Sequence, residues 1–375
     1  MKKIYSFVLL AVTLLLSTNI WAANVAKVTN TADGTLVGEY ETMADALAVW
    51  TDGTTLTMLD DATCDATDSY SVTGSRILNF DNKKLTWNFT YQEGGATNAI
   101  EIIGNVTLQG GEFVGTVSAS ADKIISFIAV KSNAYFVTTN MQFVSNYKAT
   151  NRGYFLNSCP DAIKSNHISL QETKFTMSGG CNRAVYIQYS SRLEKCQDVT
   201  IEAKNITTIK EIDGIYIGRN IVDDLSTKLV NTIVDLSGVD DAVVTVPVVW
   251  SAAPTVEQTL TIESGIFTCN SNANSSVVKL WQKGNFLQIN GGKYSKEPTS
   301  KFTDDKRSLL IIPEGKAFAK VGEYYELVSK GVAGLANSTP YTTFEELWAA
   351  CPDGVQTSVV LLNEGENRCN YDSCG

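Results

Sequence analysis

The chain has 375 residues, 44% of them hydrophobic, with 30 lysines and arginines against 40 acidic residues, a single histidine and a formal charge of −10. This composition fits a folded, core-bearing chain rather than a disordered one. It argues against nucleic acid as a partner, since phosphate binding needs a dense basic face. The acidic exterior reads as solvated surface; no cofactor is expected, and calcium or a cationic surface is the alternative such an exterior would admit.

Residues 1–23 have the build of a cleaved secretory signal. Lys2 and Lys3 supply the positive start, Phe7 to Leu16 is the apolar run, and Ile20-Trp-Ala-Ala23 offers small residues for cleavage. That run is too short for a spanning helix. No cysteine sits at the junction to carry a lipid anchor, and no later stretch is apolar enough for a transmembrane segment. The expected location is therefore secreted or cell-surface.

Cysteines stand at 64, 159, 181, 196, 269, 351, 369 and 374. Exported cysteines meet an oxidising compartment, where disulfides persist. The absence of a CxxC pair and the single histidine argue against zinc. Candidate disulfides join Cys159 to Cys181 on neighbouring turns and Cys369 to Cys374 around a short loop. Free buried thiols are the alternative.

Residues 24–61 form an opening unit. Thr42-Met-Ala-Asp45 resembles a capping box. Met43, Ala46, Leu47 and Trp50 then fall at helical spacing and give one apolar face. Asp52-Gly53 ends the helix, and Leu56-Thr-Met-Leu59 reads as a strand. The unit returns in residues 331–375: Tyr341 to Gly354 matches Tyr40 to Gly53 at a constant offset of 301, with Thr343 and Glu346 in the capping positions and Val359 to Leu362 as the strand.

Between the two units, residues 62–330 repeat a phrase: Val106-Thr-Leu-Gln-Gly-Gly-Glu-Phe113, Leu260-Thr-Ile-Glu-Ser-Gly-Ile-Phe267 and Leu287-Gln-Ile-Asn-Gly-Gly-Lys-Tyr294, with looser copies ending at Phe143 and Phe175. Val199 to Ile201 and Asn231 to Leu236 fill the turns where the aromatic is replaced. A second phrase runs in step: Phe127 to Val130, Gly153 to Leu156, Val185 to Gln188, Ile215 to Gly218, Val248 to Trp250, Val278 to Trp281 and Leu309 to Ile312. Phe113 to Phe143 and Tyr186 to Tyr216 are each 30 residues apart.

A period near 30 with two or three short strands is too short for a propeller blade of about 40 to 45 residues, and there are no long helical runs between the units. The reading is all-β: a parallel β-helix whose turns stack about 4.8 Å apart, eight or nine of them, behind an N-terminal amphipathic capping helix. β-sandwich repeats are the alternative. The glycine pair supplies positive φ at a tight corner.

These residues together resemble secreted bacterial right-handed parallel β-helix proteins of pectate-lyase-like architecture, over residues 24–362, which implies a right-handed coil. The resemblance implies fold more than function, because this architecture serves lyases, hydrolases, esterases, adhesins and surface proteins. It implies that an enzyme of this kind would act on acidic polysaccharides, with aspartates clustered on calcium and a basic residue to take a proton, or with an aspartate trio, a Gly-His-Gly and an Arg-x-Lys. His167 lies in Asn166-His-Ile, and no Arg-x-Lys occurs.

The carboxylate pairs Asp223-Asp224, Asp240-Asp241 and Asp304-Asp305 fall in expected loops, and neighbours along a strand point to opposite faces. They read as solvated turns. Arg219 and Lys283 follow aligned strands and could face one side together, but a lone base does not make a catalytic site. Tyr154, Tyr186, Tyr216, Trp250 and Trp281 form a row that would be a glycan-stacking strip if it faces outward, or a stabilising ladder if it faces inward. No catalytic or metal residue is nominated.

The expected function is an exported, non-catalytic β-helix binding a polysaccharide, cell-surface glycan or other envelope component. The alternatives are a calcium-dependent polysaccharide lyase and a fragment of a longer adhesin, the latter suggested by the second capping unit. Oligomeric state is not legible in the sequence.

Overall fold

The computed structural model describes residues 23–119, 123–148, 153–158, 165–189, 191–207, 211–218, 226–251, 258–280, 285–298, 309–329, 333–335, 344–350 and 359–361. It is 64% strand and 5% helix, wound as a parallel β-solenoid of about six turns. Two sheets carry the turns. The larger has 19 strands and the smaller eight.

The aromatic phrase builds the first sheet from within. Phe113 is in register with Phe143, and Phe143 with Phe175. The column continues through Ile201, Val234, Phe267 and Tyr294, each opposite its counterpart one lap on. All of these side chains are buried. Phe143 and Phe175 stack with centroids 5.0 Å apart and planes 22° apart. Phe127 and Phe155, from the second sheet, close against the column: Phe113–Phe127 and Phe143–Phe155 are both 5.2 Å apart. Offset and tilted contacts of this kind add to what burial alone provides.

The corner three residues before the column position takes a left-handed residue in five successive laps. Gly110 takes it at φ 72°, and the equivalent positions are Asn140, Glu172, Asp198 and Asn231, with φ between 46° and 55°. Glycine adopts this conformation without steric cost and asparagine and aspartate tolerate it, which is why the glycine of the phrase can be replaced in the middle laps. A second kind of corner is fixed by Asn166, whose buried amide donates to Val130 O at 2.7 Å and Ser158 Oγ at 3.0 Å and accepts from Ala134 N at 3.2 Å.

The opening unit covers the first lap. Ala26–Asn30 pairs antiparallel with both Leu36–Tyr40 and Thr54–Met58, and Thr54–Met58 then starts the parallel stack on Ser75–Asn79. The helix Met43–Val49 lies over this end. Its cap is Thr42, whose Oγ1 accepts from Asp45 N at 3.1 Å and donates to Asp45 Oδ2 at 2.6 Å, so the acidic side chain returns to the hydroxyl. Met43, Ala46, Leu47 and Trp50 are all buried. Trp50 Nε1 donates to Ile77 O at 3.0 Å, and Tyr70 Oη donates to Leu47 O at 2.8 Å. The leading hairpin was not anticipated.

The later unit repeats the plan. Ala333–Leu335 pairs antiparallel with Val359–Leu361 around the helix Phe344–Ala350.

Two features differ from the sequence expectation. The smaller sheet marks out eight laps, but about six are full turns, against the eight or nine expected, because the outermost segments are not full laps. Tyr70–Val72 and Val278–Leu280, the end strands of the smaller sheet, have only three residues each, and Lys316–Val321 with Tyr324–Ser329 forms an antiparallel hairpin. Tyr324–Ser329 pairs with Lys293–Tyr294 and so covers the last parallel edge, with Phe318 edge-on to Tyr294 at 5.8 Å. Leu309–Ile311 is also reassigned: it pairs with Asn285–Ile289 in the larger sheet, not with the second phrase.

Candidate functional site

The second phrase forms the eight-stranded sheet, one strand per lap. Gly153–Ser158, Cys181–Gln188 and Glu211–Gly218 are three successive laps of it. Tyr186 lies opposite Tyr216 and Arg183 opposite Asp213. A register shift after Gly153 sets Tyr154 across from Arg183 instead of Asn182. Gly153 is needed there: a Cβ would lie 2.3 Å from the Tyr147 ring. Tyr147 in turn donates its hydroxyl to Tyr154 O at 2.6 Å, which holds that backbone in place.

The result is a compact cationic–aromatic group outside the core cluster. The rings of Tyr154 and Tyr186 are 4.5 Å apart, and those of Tyr186 and Tyr216 are 5.0 Å apart. The Arg183 guanidinium lies over all three, at 5.4, 4.7 and 4.4 Å from their centroids. Contacts of this length are attractive and become stronger as the cation loses water. Arg183 Nη1 also donates to Tyr154 Oη at 3.4 Å, and Nε donates to Asp213 Oδ2 at 2.7 Å.

Asp213 is 1% exposed and its buried Oδ1 finds no hydrogen-bond partner among the described residues. Burial raises its pKa to about 6, with the Glu211 charge adding and Arg183 opposing. For Arg183, burial disfavours the charge, but the carboxylate of Asp213 outweighs it and the net direction is upward. Both groups are therefore charged at neutral pH. Beside them Lys279 Nζ and Glu211 Oε1 pair at 2.9 Å on a more exposed part of the same sheet.

Of the sequence-nominated row, Tyr154, Tyr186 and Tyr216 come together here; Tyr154 is 8% exposed and the other two are half-buried. Trp250 does not join them. It stands opposite Ile217 rather than Tyr216, points into the solenoid and is fully buried. Val249 takes the outward position in that lap. Trp281 lies outside the described residues. Arg183 and Asp213 were not nominated. The signal was available: they are one 30-residue lap apart, and each precedes a tyrosine by three residues.

The remaining nominations are scattered. Cys181 is a buried free thiol donating to Arg183 O at 3.6 Å, with burial pushing it up to about 12. Cys159, Cys369 and Cys374 lie outside the described residues, as do Asp223-Asp224, Asp304-Asp305, Arg219 and Lys283. Asp240 and Asp241 are turn residues, accepting from Ala242 N at 2.8 Å and Ser271 N at 3.2 Å. His167 contacts Glu194 and stacks on Tyr135 at 4.2 Å. Among the described residues, no group of three or more His, Cys, Asp or Glu could hold a metal, and no helix is long and apolar enough to cross a membrane.

Comparison of the chain with protein-family models, with curated proteins and with solved structures gave no match.

Proposed function

We propose that this protein is an exported, non-catalytic β-solenoid that binds glycan, or a related envelope component, on the face carrying Tyr154, Tyr186, Tyr216 and Arg183. The observation that carries the reading is the guanidinium held over three tyrosine rings taken from successive laps. Sugar rings stack on aromatic faces, and half-buried tyrosines offer an apolar face with a polar tip. The N-terminal Lys2-Lys3 start, apolar run and small-residue junction support export to the surface or medium.

The lyase reading is less favoured. A catalytic carboxylate must touch the substrate, and Asp213 is buried beneath Arg183, where it positions the cation. A glycan array probed with the wild-type protein and with Tyr186→Ala and Tyr216→Ala tests the proposal. Selective glycan binding that falls about tenfold in both variants is expected. Wild-type protein that retains no glycan, or variants that bind as well as wild type, would contradict it.

A further inference from the structure

The larger sheet carries an unrelated row on its outer surface. Ser75, Asn105, Tyr135 and His167 stand in register in four successive laps. Beside the first three opens a cleft of about 220 Å³, walled by Tyr135 and floored by Ile77 and Val137, with Asn105, Thr107 and Thr31 at its polar rim. The volume is below the roughly 300–1,000 Å³ of sites that enclose drug-sized molecules, and suits a single small ring.

Tyr135 is 46% exposed, a large ring standing at the surface of this face. It is also supported: His167 stacks behind it with planes 4° apart, and Glu194 holds the imidazole through Nδ1. The cleft has no unengaged charge to offer. Arg76, which contributes to its wall, spends its guanidinium on Trp50 O, Thr73 O and Thr73 Oγ1. The rim groups are neutral amide and hydroxyl: Asn105 Nδ2 touches Ser75 Oγ at only 3.4 Å, and Thr31 Oγ1 meets Thr55 Oγ1 at 2.9 Å. A rigid aromatic plane, an apolar floor and uncharged donors and acceptors make the chemistry that recognises a pyranose by its CH face and hydroxyls.

We infer that the cleft beside Tyr135 is a second sugar site, taking one neutral pyranose of a glycan chain. It lies on the other sheet from the Arg183 face and differs from it in kind, having no available cation.

The test is titration of the purified protein with neutral gluco-, xylo-, manno- and galacto-oligosaccharides, followed by saturation-transfer NMR and calorimetry. At least one should bind with a Kd on the order of millimolar, and Tyr135→Ala should weaken it about tenfold. Arg183→Ala should leave it within about twofold, which separates this site from the proposed function. Asn105→Ala, on an exposed side chain, provides a second variant should Tyr135→Ala alter the unfolding midpoint, and is expected to weaken binding several-fold. No binding by any neutral oligosaccharide, binding unchanged in both cleft variants, or equal loss in Arg183→Ala would overturn the inference.

Discussion

Arg183 and Asp213 face each other across one lap of the solenoid, joined through Nε and Oδ2 at 2.7 Å, while Asp213 Oδ1 has no hydrogen-bond partner among the described residues. The folded-state pKa of Asp213, about 6, is above the ordinary carboxylate value of 3.8. Between about pH 4 and pH 6 the folded protein thus keeps a proton that the unfolded chain has lost. Stability from this group is full below that window, falls as pH rises through it and is flat above. The unfolding free energy of wild type minus that of Asp213→Asn should fall by on the order of 3 kcal/mol from pH 4 to pH 7. Urea unfolding across that range checks this; a difference that is flat or rises with pH would refute it.

Phe143 is the hub of the aromatic column, within 6.4 Å of Phe113 and 5.0 Å of Phe175 along it, and 5.2 Å from Phe155 across it. Phe143→Ala should destabilise the protein by about 3–5 kcal/mol, through lost transfer energy and the cavity left behind. Phe143→Leu should cost distinctly less. Equilibrium unfolding of the two variants measures both.

Gly153 combines a structural demand with one from the site. Its missing Cβ leaves room for the Tyr147 ring, which would otherwise stand 2.3 Å away. Gly153→Ala should cost about 1–3 kcal/mol by overpacking, and should disturb Tyr154 through the Tyr147 hydrogen bond. Gly238→Ala, where an added Cβ meets nothing within 4 Å, should change stability by less than about 0.5 kcal/mol. Unfolding midpoints of the pair make the comparison.

Thr42 holds the first turn of the capping helix through Asp45 N. Thr42→Ala should cost about 1 kcal/mol. Amide exchange would show where: residues Met43–Val49 and the covered Thr54–Met58 strand should exchange faster, with the middle laps unaffected.

The spiral was legible because Phe113, Phe143 and Phe175 recur at near-constant spacing and have similar neighbours. It stayed legible through Ile201 and Val234, where an aliphatic residue fills the same column. The binding face was legible only in part. Trp250 looked like the successor of Tyr216, but Val249 is; a one-residue offset along a strand turns a side chain to the opposite face. Arg183 was hidden because alternation breaks between it and Tyr186: Ala184 and Val185 are both buried, which leaves Arg183 and Tyr186 on one side although they are three residues apart. The hairpin Lys316–Ser329 has the same apolar alternation as a parallel lap, and only its short turn at Gly322 marks the reversal of direction.

Everything above depends on laps that stack in register, and distance measurement tests that most directly. Thr107 and Val137 are lap partners, as are Val137 and Ser169, Ser169 and Lys195, Lys228 and Thr261, and Thr261 and Gln288. Lys195 precedes Cys196, which faces Leu229, and so aligns with Lys228. Nitroxide-bearing unnatural amino acids at Thr107 and Lys228, four laps apart, and at Thr107 and Gln288, six laps apart, can be compared by pulsed electron resonance. The backbone separations should be about 19 Å and about 29 Å, growing by about 4.8 Å per lap. Equal separations for the two pairs, or ones that do not grow with lap number, would contradict the solenoid and the two faces built on it.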